Sequence, residues 1–266
     1  MFFAILALLL AFSMMGYAGY RLNEIDQVYQ KGNEFYDDMG DKVRTLPEGS
    51  KPPAGAVYAS EAARPANKKA GVKLPLVEIP ALNVNFENLK KINKDSVAWL
   101  YCPDTVIDYP VMKATDYSHY LYRLPDGTRN ANGTLFIDFN NPADFSSELT
   151  VIYGHHMKSG RMFGNLAEYK SQSYYDAHPY MYLYTEKGNY RVDVLYGCVI
   201  GAGQWRERAF MYAENISALI SYAAHNSTFA GTAEYKPGDR IVALSTCSYE
   251  FDDARYVVLG ILRPEY

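Results

Sequence analysis

Short runs of β-branched and aromatic residues, separated by turn signals, constrain the fold of this 266-residue chain more than any other feature. Asn132-Gly133 and Lys187-Gly188-Asn189 are typical of hairpin turns between such runs. Runs of this length and spacing predict a mainly β domain, either closed as a barrel or stacked as a sandwich. The runs are VAWLYC, VIDYPVM, GTLFID, LTVIYGH, YMYLYT, YRVDVLYGCVI, RIVALSTC and YVVLGIL.

Three other segments have the pattern of helices. Residues 22–43 carry apolar or small residues at alternating steps of three and four, which predicts an amphipathic helix that forms a stalk or packs on the domain. A dimerising coiled coil is the alternative for this segment. Residues 206–224 show similar apolar spacing and predict one long helix before the last two strands. A short helix is predicted at 85–93, capped by Asn85 or Asn83.

The N-terminus predicts a membrane anchor. Residues 2–20 (FFAILALLLAFSMMGYAGY) are uncharged and mostly apolar, and about this length spans a bilayer as a helix. A cleaved signal peptide is the alternative, but a basic start and a convincing cleavage site are missing. The predicted order is an anchor (1–21), a juxtamembrane amphipathic helix (22–45), a flexible Pro-, Ala- and Gly-rich linker (46–80) and a catalytic domain (81–266).

Composition excludes some classes of function. The net charge is −4, and basic residues are not concentrated on one face of any segment, so a nucleic-acid partner is not expected. The three cysteines fit neither a zinc motif nor a disulfide framework. Tyrosine is unusually common, at 25 residues, and such rings are expected both in the core and along grooves.

Cys247 is the cysteine expected to react. Cys102 precedes a proline at a strand end and Cys198 lies inside the longest strand, so both are expected to be buried and inert. Cys247 ends a strand, follows Ser245 and Thr246, and opens a polar loop that a substrate can reach. A free thiol with a pKa of ~8.5 is mostly protonated at neutral pH, so a base or a cation is expected beside it.

The stretch LTVIYGHHMKSG places two adjacent histidines just past an apolar strand. Consecutive strand residues point to opposite faces, so His155 and His156 are not expected to serve one site together. This argues against a two-histidine metal site. On the residue pattern alone, a pair of ordinary loop histidines is the simpler interpretation.

Arg255 lies across the polar loop from Cys247. Its permanent charge can hold an oxyanion or a substrate carbonyl, although a surface ion pair with Asp252 or Asp253 is the alternative. A thiol, an imidazole and a guanidinium at strand ends of one domain are the minimum set for cysteine acyl transfer.

Five stretches, taken in order along the chain, resemble the sortases and most closely class B. Sortases are membrane-anchored cysteine transpeptidases of Gram-positive bacteria. The resemblance covers residues 84–264 and implies an eight-stranded sortase-type β-barrel, with N-terminal helices and one long helix before the last two strands. The stretches are INKDSVAWLYCPDTVIDYPVM, YSHYLYRLPDG, GTLFIDFNN, VIYGHHMKSGRMFGNL and LSTCSYEFDDARYVVLG.

The resemblance also implies roles for single residues. The family's catalytic histidine, nucleophile and arginine fall on His155, Cys247 and Arg255. The TLxTC motif of the family reads ALSTC here, and Ala243 at its first position is expected to alter the groove without removing a catalytic group. No metal or other cofactor is implied. The residues expected to bind substrate, two of them by analogy with a class B segment near the groove, are Ser245, Thr246, Asp108 and Met112.

The implied reaction is the transfer of a surface protein that carries an NPxTN-like or PxTG-like C-terminal sorting signal. Cleavage after Thr would form a thioester on Cys247, and an amine of a peptidoglycan precursor (lipid II-like) would resolve it. The N-terminal helix would hold the catalytic domain at the cell membrane, on its extracellular side. The alternatives are a pilin lysine as acceptor, a cysteine protease that uses water, a non-catalytic surface module, and a redox thiol protein, which the missing CxxC disfavours.

Overall fold

A computed structural model describes residues 2–45, 82–207, 210 and 214–264, with side chains from residue 9 onward. Within these ranges, eight strands form a closed barrel, which confirms the predicted β-barrel, and closure means that the barrel itself has no edge strand. The first two strands form a separate small sheet. The strands are β1 (Arg44–Thr45), β2 (Asn83–Val84), β3 (Ser96–Tyr101), β4 (Asp108–Lys113), β5 (Leu135–Ile137), β6 (Leu149–Tyr153), β7 (Tyr180–Thr185), β8 (Gly188–Gly201), β9 (Ile241–Cys247) and β10 (Ala254–Pro264).

Two parallel pairings decide which strand ends meet. Around the barrel the order is β10-β8-β7-β3-β4-β5-β6-β9, and β4–β5 and β6–β9 are the parallel pairs. In the β6–β9 pair Tyr153 lies opposite Ser245, so both strands end at the same rim. The antiparallel β9–β10 pair then places Arg255 directly opposite Cys247. The end of β6, the end of β9 and the start of β10 therefore meet at one point of the rim.

The helices lie around the barrel. They are α1 (Phe2–Val43), α2 (Phe86–Ile92), α3 (Gln172–Ala177), α4 (Ala202–Trp205) and α5 (Ile216–His225), with 3₁₀ segments at Tyr120–Tyr122 and Gly164–Lys170. The Asn85 side chain accepts a hydrogen bond from the Asn88 amide at 2.9 Å, which confirms the predicted cap of α2.

The helix predicted over residues 206–224 is wrong at its start. Arg206 lies in a turn and Glu207 in a bend, and of the later described residues Phe210 is helical and Ile216–His225 form α5 before the last two strands. The Asn215 side chain accepts from the Ala218 amide at 3.0 Å. An asparagine in this position caps a helix rather than continuing one, because its oxygen satisfies an amide of the first turn.

Helix α1 packs on the barrel through its C-terminal part. Gly32, Tyr36, Met39 and Val43 are among the regularly spaced apolar or small residues of the predicted amphipathic helix, and they are buried, whereas Leu22, earlier in the same series, is exposed. This face of the helix therefore packs on the domain over its last three turns. The predicted linker, residues 46–80, lies outside the described residues.

The sequence predicts a membrane anchor at residues 1–21. Over the part of the chain that the structure describes, none of the helices combines the length and the apolar character that crossing a membrane requires.

Candidate active site

A cleft of about 580 Å³ opens at the rim where β6, β9 and β10 meet. One side carries the thiol, imidazole and guanidinium that the sequence singled out. The other side is aromatic. The lining residues are Tyr117, Leu121, Tyr122, Phe136, Tyr153, Gly154, His155, Trp205, Arg206, Ser245, Thr246, Cys247 and Arg255.

Cys247 is the exposed cysteine among the three. As the last residue of β9 it leaves the barrel wall, so its thiol faces the cleft rather than the core. Cys102 and Cys198 are buried, and burial raises the pKa of each thiol to about 12. Both are therefore protonated and enclosed, and the expectation that they are inert is supported.

Ser245 and Thr246 line the cleft but are only 2% exposed. The Thr246 hydroxyl donates to the Gly154 carbonyl at 2.8 Å, and the Gly154 amide donates to the Ser245 carbonyl at 3.2 Å. These bonds hold the end of β6 against the end of β9. The segment that carries His155 is thus fixed relative to the segment that carries Cys247.

His155 is half-buried at the cleft, with its ring nitrogen Nε2 2.6 Å from the Leu121 carbonyl oxygen. A carbonyl can only accept, so Nε2 must carry a proton and donate it in this bond. In the neutral ring Nδ1 is then the nitrogen with a free lone pair. This arrangement leaves one defined position on the imidazole for taking up and giving back a proton.

The His156 side chain points away from the cleft that His155 lines, as expected from the alternation of consecutive strand residues. Its Nδ1 lies 2.8 Å from the Cys247 carbonyl oxygen, and its ring meets that of Tyr249 edge to face with centroids 5.0 Å apart. It is not among the residues that line the cleft. His156 therefore supports the backbone beside Cys247 without facing the cavity.

Arg255 is half-buried and lines the cleft opposite Cys247. Its Nη1 donates to the carbonyl of Ala254 at 2.9 Å. Within the described residues the guanidinium thus bonds to backbone rather than to Asp252 or Asp253, and its remaining N–H donors are available to a ligand oxygen.

The loop between Cys247 and Arg255 is tied to the 3₁₀ segment Gly164–Lys170. Lys170 pairs with Glu250 and donates to the Ser248 hydroxyl at 3.2 Å. Burial alone would raise the pKa of Glu250, but its bonds to Lys170 and Ser248 outweigh it and lower the pKa to about 2. Glu250 is therefore ionised at neutral pH, and the loop keeps this ionic tie.

The structure places Asp108 and Met112 away from the cleft lining. Asp108 forms a buried ion pair with Arg44 at 2.7 Å and accepts from the Trp99 indole at 2.6 Å. Met112 is fully buried beside Tyr120. In this arrangement Asp108 fastens the end of α1 to the barrel, and Met112 packs in the interior.

The aromatic side of the cleft was missed by the reasoning from sequence. The high tyrosine count was the signal, but it does not say which rings converge. Convergence depends on the parallel β4–β5 pairing and on the 3₁₀ segment Tyr120–Tyr122, which bring distant parts of the chain together. Over the residues that the structure describes, no cluster of three or more His, Cys, Asp or Glu is placed to hold a metal ion.

Gly154, directly before His155, is tightly packed against its neighbours. A Cβ on this residue would overlap Leu135 and lie 2.7 Å from Phe163 Cδ2, and both side chains are fully buried. We expect Gly154→Ala to lower the free energy of unfolding by about 1–3 kcal/mol, as overpacked cores do, and to displace His155. Urea unfolding measures this. Gly203→Ala, where a Cβ meets nothing within 4 Å, is the matched control, and equal stability of the two variants would contradict the expectation.

No family model matches the chain. The chain is 32% identical to sortase B of Listeria monocytogenes over 190 residues, which are 68% of this chain and 77% of the relative. A structure of a Staphylococcus aureus sortase B–substrate complex is 27% identical, with a TM-score of 0.63, and the match covers 68% of this chain and 86% of that one.

A Streptococcus pyogenes class B sortase involved in pilus biogenesis is also similar. It is 25% identical with a TM-score of 0.61, and the match covers 68% of this chain and 98% of that one. The sequence similarity and the similarity of fold therefore agree on one family.

Proposed function

The chain belongs to the class B sortases, which are cysteine transpeptidases, and we propose that it cleaves a C-terminal sorting signal after its threonine and passes the protein to a cell-wall amine. The signal would be an NPxTN-like or PxTG-like pentapeptide. The observation that carries the proposal is one cleft lined by an exposed thiol, a half-buried imidazole and a guanidinium. Cys247, His155 and Arg255 would be its catalytic residues.

In the first step Cys247 gives its thiol proton to Nδ1 of His155 and attacks the threonine carbonyl as a thiolate. The C–S bond forms as the carbonyl oxygen takes up negative charge, and the Arg255 donors would stabilise this oxyanion. When the C–N bond breaks, His155 gives the leaving amine a proton from Nδ1. The products are a thioester on Cys247 and the released C-terminal peptide.

In the second step an amine replaces the thiol. His155 takes a proton from the attacking nitrogen, the new C–N bond forms, and Cys247 leaves as a thiolate. The acceptor would be an amine of a peptidoglycan precursor (lipid II-like), and the catalytic domain would act on the outer side of the cell. A pilin lysine is the second candidate, because the similar S. pyogenes enzyme is involved in pilus biogenesis.

The test incubates the full-length chain with NPxTN-like and PxTG-like peptides, with and without added amines. Mass spectrometry should show Cys247 acylated by the peptide up to Thr. Triglycine should capture the acyl group in preference to water, and an excess of Nα-acetyl-lysine tests the pilin-type acceptor. A purely hydrolytic product in the presence of amines would favour the cysteine protease, and absence of acylation by every peptide would contradict the proposal.

A further inference from the structure

A buried carboxylate lies directly behind the aromatic side of the cleft. Asp138, which follows β5, is 3% exposed and is not itself among the lining residues. Its Oδ1 accepts from the Asn140 amide at 2.9 Å and from the Asn140 side chain at 3.0 Å. A buried carboxylate requires such donors, because an unsatisfied charge in the interior is costly.

The other oxygen of Asp138 holds two tyrosines of the cleft. Oδ2 accepts from the Tyr117 hydroxyl at 2.9 Å and from the Tyr153 hydroxyl at 3.0 Å. The two rings meet edge to face, with centroids 5.9 Å apart, and Tyr153 also packs against Phe136 at 5.4 Å. One carboxylate oxygen thus fixes two rings that arrive from different parts of the chain.

In both hydrogen bonds the tyrosine hydroxyl is the donor and Asp138 is the acceptor, and this decides which groups the cleft wall presents to a ligand. Burial raises the pKa of Tyr153, and the Asp138 charge raises it further, so this hydroxyl stays protonated and donates. The hydroxyl protons of both tyrosines point to Asp138 rather than into the cavity. What this side offers a ligand is mainly ring surface and the apolar side chains of Leu121, Phe136 and Trp205, together with the hydroxyl of Tyr122 and the guanidinium of Arg206.

We propose that Asp138 is a positioning residue that gives this wall its preference for an apolar side chain of the bound sorting peptide. The inference rests on the proposed function, since the ligand is the peptide whose threonine is attacked at Cys247. Asp138 itself does not touch the peptide. It acts by orienting the rings of Tyr117 and Tyr153 and by engaging their hydroxyls.

The substitution Asp138→Asn tests this with almost no change of volume. An amide has one accepting oxygen and one donating nitrogen, so it cannot accept from Asn140 and from both tyrosines at once. If the amide nitrogen of the new asparagine faces the two tyrosines, their hydroxyl oxygens must accept from it and their hydroxyl protons turn toward the cleft. If the amide nitrogen faces Asn140 instead, two N–H donors oppose each other and the hydrogen bonds to Asn140 are lost.

The experiment measures kcat and KM of the 266-residue chain on paired peptides that differ only in the residue directly before the threonine, Leu against Asn or Val against Thr. We expect the wild type to favour the apolar peptides. Asp138→Asn should raise their KM roughly ten-fold, in line with the loss of a hydrogen bond to a charged group. It should also shrink the apolar preference and leave alkylation of Cys247 by a small thiol reagent within about two-fold of wild type.

Asp144→Asn is the matched control, since Asp144 is a surface residue that bonds to the Ser146 amide at 3.1 Å. Tyr117→Phe is the second variant, because it removes one hydroxyl and keeps the buried carboxylate. Its effect should be non-additive with that of Asp138→Asn, because both act on the same hydrogen bond.

The outcomes separate the two proposals. An active wild type together with folded Asp138→Asn and Tyr117→Phe variants of unchanged KM and unchanged preference would overturn the role of Asp138. If Asp138→Asn does not fold, an unchanged KM and preference in Tyr117→Phe alone would overturn it. A wild type that acylates with none of the peptides contradicts the proposed function instead.

Discussion

Cys247→Ala is expected to abolish acyl-enzyme formation and peptide cleavage, and to leave the fold intact. Cys247 is an exposed residue at the end of a strand, so truncating it to a methyl group leaves no buried cavity. The described residues place the other two thiols inside the protein, where burial keeps them protonated. Mass spectrometry of the chain after incubation with a sorting-signal peptide measures the acyl-enzyme, and thermal unfolding measures the fold.

Cys198→Ala gives the matched control for this prediction. Cys198 is 1% exposed in the barrel wall, so its truncation should cost about 1 kcal/mol of stability and leave cleavage close to the wild-type rate. The two variants should thus show opposite patterns, with activity lost in one and stability lost in the other. Cleavage retained by Cys247→Ala would place the nucleophile on another residue and remove the basis of the proposed reaction.

The barrel strands could be predicted from sequence because most are short, and they are rich in β-branched and aromatic residues and separated by turn or loop residues. The choice between a barrel and a sandwich could not be made from these local patterns. Closure depends on β6 pairing with β9 in parallel, and some 90 residues of chain separate these strands. Such pairing is decided by packing across the whole domain. The resemblance to sortases, rather than periodicity, supplied the correct architecture.

The candidate site could be predicted only where it depends on local sequence, and not where it depends on pairing between distant strands. Cys247 and Arg255 flank one loop, so local sequence and antiparallel pairing bring them face to face. His155 joins them through the long-range β6–β9 pair, which the strand pattern alone does not reveal. Asp108 was expected at the substrate groove. The structure instead pairs it with Arg44, a partner that becomes visible only when α1 packs on the barrel.

His155→Ala is the second large effect that we expect. A positioned acid–base group typically contributes 10²–10⁴-fold, so the rate of acyl-enzyme formation should fall by about 10³-fold. The bond from Nε2 to the Leu121 carbonyl fixes the tautomer that offers Nδ1, and no other histidine lines the described part of the cleft. The rate of this step is measured by quenching the reaction with a sorting-signal peptide at successive times. Mass spectrometry then gives the fraction of the chain present as acyl-enzyme at each time.

His156→Ala is the control that makes the assignment specific. This variant removes an adjacent imidazole of the same size, but one whose Nδ1 contacts the Cys247 carbonyl outside the cavity. We expect a change within about five-fold, because losing one partly exposed hydrogen bond costs about 1 kcal/mol. If His156→Ala were the severe variant and His155→Ala the mild one, the acid–base group would have to act through the backbone side of Cys247. The cleft that binds the peptide would then lie on the opposite face of β9.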